Sequence, residues 1–451
     1  MLGKIFDPFV KKSPVAVMAG GILERVFASD KVDELFEQVA ERQYTRDLLF
    51  STIFELMIQV VCGSYKSVHA AYQASDEQIA VSITSVYNKL NAVEPETSAT
   101  LVRYSAQATW QIIQDLGQEL PSWLPGYRVK ILDGNCHEAT EHRIRELRQT
   151  AGGALPGKSL AVLDPALKTI IDVFPCEDGH AQERSLLGQV LSTVRPGDCW
   201  IGDRNFCTIQ LMFTITDRNA DFIVREHKNI RWEARGRMKS RGSVDGGKVS
   251  EQPVVVKDKE GRELELRRIR IRLDEPTRDG ERDVFLLTRL PGKVRARRVA
   301  DLYRKRWTIE TAFQELAEYL NSEINTLGYP KAALFAFSIA LIAYNVMSVV
   351  RGALRSVHGE EAIEQGISSY YIADEISGTY RGMMIAIPEK HWRIFRRAAD
   401  QEFAKILKML ASNVTLRKYK KHPRGPKKPV PPRRHNKSRP HVSTSRLIAQ
   451  R

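Results

Sequence analysis

The sequence predicts an α/β layered core with helical segments on either side, and three observations predict it. Residues 15–120 repeat apolar side chains at helical spacing. From Tyr127 the texture changes to short β-rich runs with helix-like stretches between them, the pattern of packed strand and helix layers. A second β-rich patch, at about 221–290, has no long helical pattern and leads into an amphipathic helix at about 297–320.

In the first region Val32, Leu35, Phe36 and Val39 recur on one helical face, and Leu48 to Phe50, Ile53, Phe54, Met57 and Val60 continue the pattern. Ser29-Asp30 offers an N-cap and Gly63 a stop, and Pro121 and Pro125 mark a domain boundary. The strand candidates that follow are RVKILDG (128–134), SLAVLDP (159–165), KTIIDVFP (168–175) and DCWIGDR (198–204), with helix-like segments at 182–194 and 207–217. The second patch contains DFIVREH (221–227), PVVVKD (253–258), ELELRRIRIRL (263–273) and DVFLLTRL (283–290), separated by Gly, Ser and Asp turns. Ala332 to Val350 then runs 19 residues without a charge, long enough to span a membrane. Ser338 and Asn345 within the run and its polar flanks point instead to a helix buried in protein, so no membrane partner is expected. The last 35 residues mix Lys and Arg with proline, a composition that cannot bury a core and predicts a disordered tail. The expected divisions are a helical domain at 1–125, a catalytic core at 126–355 with a β-rich insertion at 218–295, a helical region at 356–416, and the basic tail at 417–451.

The formal charge of +15 is unevenly placed. From Arg417 onward there are thirteen Lys/Arg and no Asp/Glu, and the first 125 residues hold ten basic against fifteen acidic side chains. A polyanionic partner therefore suits the tail and the middle of the chain rather than the N-terminal region. The five cysteines form no CxxC pair and no zinc-ribbon spacing, and the N-terminus has no signal-like apolar stretch. Free thiols in a reducing, cytoplasmic compartment are expected.

Two aspartates close apolar strand-like runs just before a turn: Asp133 before Gly134-Asn135, and Asp203 before Arg204-Asn205. Carboxylates at strand ends are well placed for an exposed site, although such residues also serve as ordinary turn caps. On the helix at 297–320, Val299, Leu302, Ile309, Phe313, Leu316 and Leu320 share one stripe, and Tyr303, Arg306 and Glu310 lie together in a wedge of about 60° beside it. The plain alternative is an i,i+4 pair between Arg306 and Glu310. GGALPGKS at 152–159 has Walker-like spacing, but a helix-like stretch precedes it and a strand follows, the reverse of a phosphate loop. No GxSxG elbow appears for Ser/His/Asp chemistry, and Cys136-His137 reads as wall rather than nucleophile.

The string YRKRWTIETAFQEL, with Tyr303, Arg306 and Glu310 at Y-x2-R-x3-E spacing, resembles the signature of IS4-type bacterial DDE transposases. LDGN around Asp133 and GDRNF around Asp203 are similar to that family's two aspartate motifs, and QYTRDLLFSTIFELM (43–57) and SVHAAYQ (67–73) to its N-terminal region. The resemblance covers roughly residues 10–355. It implies a ribonuclease-H-like catalytic core interrupted by a β-rich insertion, with Asp133, Asp203 and Glu310 gathered around two Mg²⁺ or Mn²⁺ ions, hard cations suited to oxygen ligands. One ion would activate water or a 3′-hydroxyl and the other would stabilise the leaving oxygen. It further implies DNA cleavage at terminal inverted repeats and joining to target DNA, on the nucleoid, with two ends held by a dimer. Tyr303 and Arg306 are expected on DNA phosphate, and Trp232 on a base flipped from the element end. The N-terminal domain is expected to read the element ends, with dimerisation as its competing role. One position departs from the pattern: the family carries a Lys seven residues after the Glu, where this chain has Ala317. That departure supports a second reading, a catalytically impaired or repurposed DNA-binding descendant. A DDE nuclease without strand transfer would share the same site.

Overall fold

The computed structural model describes all residues except 1, 42–46, 76–78, 139–143, 278–279, 423–424, 426–440 and 451. The first third is helical: α1 (Asp7–Lys12), α2 (Pro14–Val26), α3 (Ser29–Val39), α4 (Phe50–Val61), α5 (Val68–Gln73), α6 (Ile83–Ala92) and α7 (Pro95–Asp115). The sheet-forming middle holds β1 (Arg128–His137), β2 (Ala154–Leu155), β3 (Gly157–Asp164), β4 (Thr169–Cys176), α8 (Leu187–Ser192), β5 (Asp198–Gly202), α9 (Ile209–Asp217) and β6 (Asp221–Arg225). Five further strands follow, β7 (Trp232–Ala234), β8 (Lys239–Val244), β9 (Gly247–Lys257), β10 (Glu263–Leu273) and β11 (Asp283–Thr288). Helices return as α10 (Ala296–Arg304), α11 (Trp307–Tyr319), α12 (Pro330–His358), α13 (Glu360–Gly366), α14 (Ser369–Ala386), α15 (Glu389–Arg397) and α16 (Asp400–Ser412), before β12 (Val442–Ser443) and α17 (Thr444–Ala449).

One sheet carries the molecule, in the order β4-β3-β1-β5-β6-β11-β10-β9-β7, with β8 also on β9. The strands β4, β3 and β1 pair antiparallel, and β1, β5 and β6 pair parallel. The strand at 221–225, whose composition matches the later β patch, thus pairs with β5, and β11 joins the patch to it without a break. Side-chain alternation divides the sheet's faces. Leu132, Leu160, Val162, Trp200, Phe222 and Val224 pack under α8 and α9. On the other face, Ile201, Ile223, Ile269 and Leu286 pack under α10, while Ile131, Leu163, Ile170 and Val173 pack under α7 and α12.

The helices at the two ends of the chain share one core built around α12. The apolar run is a core helix as expected: 89% of its most apolar window is buried inside the protein. Asn345, fully buried in this helix, accepts from the Ile170 amide at 2.8 Å and donates to the Ile170 carbonyl and the Ser105 hydroxyl, each at 2.9 Å. Those three bonds tie α12 to β4 and α7 and satisfy a side chain that would otherwise be costly there. At the N-terminus of α2, which has no cap of its own, Glu375 of α14 accepts from the amides of Val15 and Ala16.

Two expectations are corrected. The single helix at 297–320 is two, because the amides of Arg306, Thr308 and Ile309 bond three residues back and tighten the chain between α10 and α11. The tail is structured at both described ends. Leu416–Tyr419 forms a 3-10 turn, and β12 pairs with β2 while Arg446 of α17 holds the Asp178 carboxylate at 2.7 Å. Its last residues are held by the strand pair, by the ion pair, and by Val442, Leu447 and Ile448 packed against Ile144, Leu147 and Ala154. The middle of the tail, 426–440, lies outside the described residues, as does the start of the 43–57 motif.

Candidate active site

Parallel pairing of β1 with β5 ends at Leu132 opposite Gly202, so Asp133 and Asp203 are the next residues on neighbouring strands. The two carboxylates emerge where β1 and β5 part. The turn expected at Gly134-Asn135 is not there: β1 runs on to His137, paired with β3, so Asp133 lies within a strand, while Asp203 does follow the end of β5. The Asp133 side chain accepts from the Gly134 amide at 2.9 Å. Asp203 caps the short 3-10 turn after it, accepting from the Asn205 amide at 2.8 Å.

Across from them, the tight turn between α10 and α11 delivers Arg306, which is only 8% exposed. Its guanidinium donates to Asp133 with one nitrogen and to Glu310 with the other, the latter at 2.6 Å. The plain i,i+4 pair therefore exists, but it is half of a bridge that joins α11 to β1. Burial pushes the Asp133 carboxyl up, Arg306 pulls it down, and the charges of Asp203 and Glu310 push it up again, leaving it at about 7. Its response to both partners places the three acids in one electrostatic neighbourhood. Burial raises the pKa of the half-buried Tyr303 hydroxyl, which faces Arg306, Arg225 and Asp203. Four of the sequence-identified residues, Asp133, Arg306, Glu310 and Tyr303, thus meet in one cluster, with Asp203 beside them.

Trp232 is elsewhere. It sits in β7 at the sheet's outer edge, with β6, β11, β10 and β9 between it and β5. At strand spacing that is about 24 Å across the sheet. Its indole donates to Glu226 at 3.0 Å, and the Arg268 guanidinium lies 4.5 Å over its ring while also holding Glu226. The exposed indole beside the acids is that of Trp307, 61% exposed at the start of α11. Ala317 lies exposed two turns beyond Glu310 on the same helix.

Other residues enter the site unannounced by the sequence. Glu183 holds the Asn205 amide nitrogen at 3.1 Å, and Arg184 donates to the Asn205 carbonyl at 2.8 Å, so this pair grips the turn that carries Asp203. Glu183 comes so close that a Cβ at position 134 would lie 2.3 Å from its carboxylate, which accounts for Gly134 in the LDGN motif. Glu281, from the loop before β11, pairs with both Arg204 and Arg225. Gly134 and Asn205 were the only local signals of these contacts. In the Walker-like string, Lys158 lies within β3 and donates to the Ala181 carbonyl, with no helix following.

The carboxylate oxygens of Asp133, Asp203 and Glu310 are donors suited to a hard divalent cation, and their three charges exceed what Arg306 alone can balance. Among the described residues no three acid, imidazole or thiolate groups already stand in metal-binding geometry. Here Arg306 lies between two of the acids, so an ion shared by them requires that guanidinium to move aside.

The fold is mixed α/β, with two carboxylates on neighbouring strands and a third joined to one of them by Arg306. Residues 124–346 match the family described as transposase DDE domain, and the chain is similar to DDE transposases of the IS4 type. It is 25% identical to the Escherichia coli transposase for insertion sequence element IS421 over 265 residues, 51% of this chain and 67% of that one. It is likewise 25% identical to InsL of insertion sequence element IS186A from Escherichia coli K12, covering 51% of this chain and 68% of that protein. Among solved structures, a piggyBac transposase in a synaptic complex with hairpin DNA aligns over 88% of this chain and 84% of its own, with a TM-score of 0.39 and 11% identity.

Proposed function

We propose that this protein is the transposase of an insertion sequence, cutting DNA at the element's ends and joining them to a target. The observation that carries the reading is Asp133 within β1 and Asp203 just past β5, side by side where the pairing of the two strands stops, with Asp133 linked through Arg306 to Glu310 on α11. The antiparallel β4-β3-β1 set continued by parallel β5 and β6 is the order of a ribonuclease-H-like core, and the strands from β7 to β11 are its insertion.

Asp133, Asp203 and Glu310 would hold two Mg²⁺ or Mn²⁺ ions, which supply charge neutralisation and an activated water or hydroxyl. The chain's own groups do the rest. Arg306 and Tyr303, released from the acids, hold the phosphate beside the cut. Glu183 and Arg184 keep the Asp203 turn in place. Arg204 and Arg225, on release from Glu281, would supply positive charge that the family draws from the Lys replaced by Ala317. Trp307 is placed to stack on a base at the cut, whereas Trp232 braces the sheet edge. Trp307→Ala is expected to weaken binding of element-end DNA by about 1–3 kcal/mol and leave the melting temperature near wild type. Trp232→Ala is expected to lower the melting temperature; the reverse pattern would move the DNA contact to the insertion.

The terminal inverted repeats and target DNA are the partners, two ends are held by a dimer, and the work is done in the cytoplasm on the nucleoid. The helices ahead of β1 are the candidate readers of the element ends. A labelled fragment spanning one end, incubated with target DNA in Mg²⁺ or Mn²⁺, tests the reading. Discrete breaks with joined products are expected. Breaks with free ends alone identify a nuclease, and specific binding without breaks identifies the impaired descendant that exposed Ala317 keeps open.

A further inference from the structure

We infer that the outer face of α10 is a track for the phosphate backbone of duplex DNA leading to the candidate site, an inference that builds on the transposase reading. The inner face of this helix is fixed by burial of Ala296, Val299, Ala300 and Leu302. The outer face carries Arg297, Arg298, Arg304 and Lys305 against a single acid, Asp301, and the turn before it adds Lys293 and Arg295.

Fold stability does not ask for this arrangement. The first turn of α10 holds no acidic residue, and Arg295, Arg297 and Arg298 crowd the end where the helix dipole is positive and anions are favoured. Cations gathered there cost stability until an external anion meets them. For Lys293, Arg295 and Arg297 no acidic partner stands within ion-pair distance among the described residues, whereas most arginines of β10 are paired, as Arg267, Arg268 and Arg270 show.

The flanking cations are held in place rather than loose. Arg298 donates to the Trp123 carbonyl, Lys305 stands 4.9 Å over the Trp123 ring, and Arg304 reaches the Asp245 carbonyl and, at 3.3 Å, its carboxylate. The Arg297 stem lies across Gly242 of β8, 3.5 Å from where a Cβ would be. From Arg297 to Lys305 the helix advances about 12 Å, the axial length of three to four base pairs at 3.4 Å each. The next residue, Arg306, turns inward from the ridge to the acids, so the ridge ends beside the candidate site. Guanidinium and ammonium heads on phosphate position DNA without reading its sequence.

The test is binding of a random-sequence duplex, in Ca²⁺ to hold off cleavage, across a salt series. For Arg295→Gln/Arg297→Gln/Lys305→Gln the slope of log affinity against log salt is expected to become shallower by about 2–3, and for Arg297→Gln alone by about 1. A surface control, Lys390→Gln/Lys405→Gln/Lys408→Gln, keeps the wild-type slope, and melting curves confirm that each variant folds. An unchanged slope in the α10 triple variant, or an equal loss in the control, overturns the track. Either result leaves the catalytic reading standing, because that is scored separately by cleavage in Mg²⁺. A shallower slope with a wild type that never cuts supports the track and sinks the enzyme.

Discussion

Arg306 joins two elements that the chain separates by more than 170 residues, and its geometry makes a sharp demand at the scale of one side chain. A guanidinium can serve Asp133 and Glu310 at once, and later a phosphate, because its donors form a rigid fork; an ammonium is a single point. Arg306→Lys is therefore expected to slow cleavage by about tenfold to a hundredfold, in line with roughly 1.5–3 kcal/mol for a hydrogen bond to a charged group. A single-turnover rate equal to wild type would show that charge alone suffices. At this scale the two aspartates and the Tyr-Arg-Glu trio were legible, since strand-end motifs and helical spacing are local properties. Glu183, Arg225 and Glu281 were not, because nothing local distinguishes an acid or arginine that folding brings to the site from one on a solvated face. For Trp232 the sequence left two readings, a base contact among flanking arginines or a strand Trp packed on the sheet, and its contacts with Glu226 and Arg268 depend on pairing across strands that no local signal records.

Among the elements, the β runs and the apolar α12 follow directly from composition and period. The break between α10 and α11 does not, because both halves keep their apolar residues on one stripe whether or not the turn between them tightens. Nor does the pairing of β6, whose DFIVR reads like any strand of the insertion but lies parallel to β5. Packing of α2 shows how close an element interface is. A Cβ at Gly21 would fall 2.6 Å from the buried Phe395 ring, and one at Gly20 would fall 2.8 Å from Trp392. Gly21→Ala is expected to destabilise by about 1–3 kcal/mol through overpacking, despite the roughly 1 kcal/mol that alanine gains in a helix. A gain in the denaturation midpoint would mean that α2 and α15 can move apart freely.

For the whole molecule, the helices before and after the sheet share one core, a closure that sequence order hides. Glu364 on α13 is one of its ties, pairing with Lys168 of the β3–β4 turn and with Arg351 and Arg355 of α12. Although burial opposes the charge, these cations hold its carboxyl down at about 2, against an ordinary value of 4.5. A depressed carboxylate stabilises the fold above its unfolded value and loses that contribution as pH falls through the folded one. Glu364→Gln is thus expected to cost about 3 kcal/mol near neutral pH, as for breaking a buried pair, with the gap closing between pH 4.5 and 2. Denaturant titrations at several pH values measure it, and a gap independent of pH would contradict the assignment. The account's central claim is that three acids, from two neighbouring strands and one helix, form a single metal-dependent cutting centre. Cleavage of an element-end fragment in Mg²⁺ by Asp133→Asn, Asp203→Asn and Glu310→Gln, each checked by its melting curve, tests this most directly. All three are expected to fold and to leave the DNA intact, whereas wild-type cutting by any one of them would remove that residue from the centre and the claim with it.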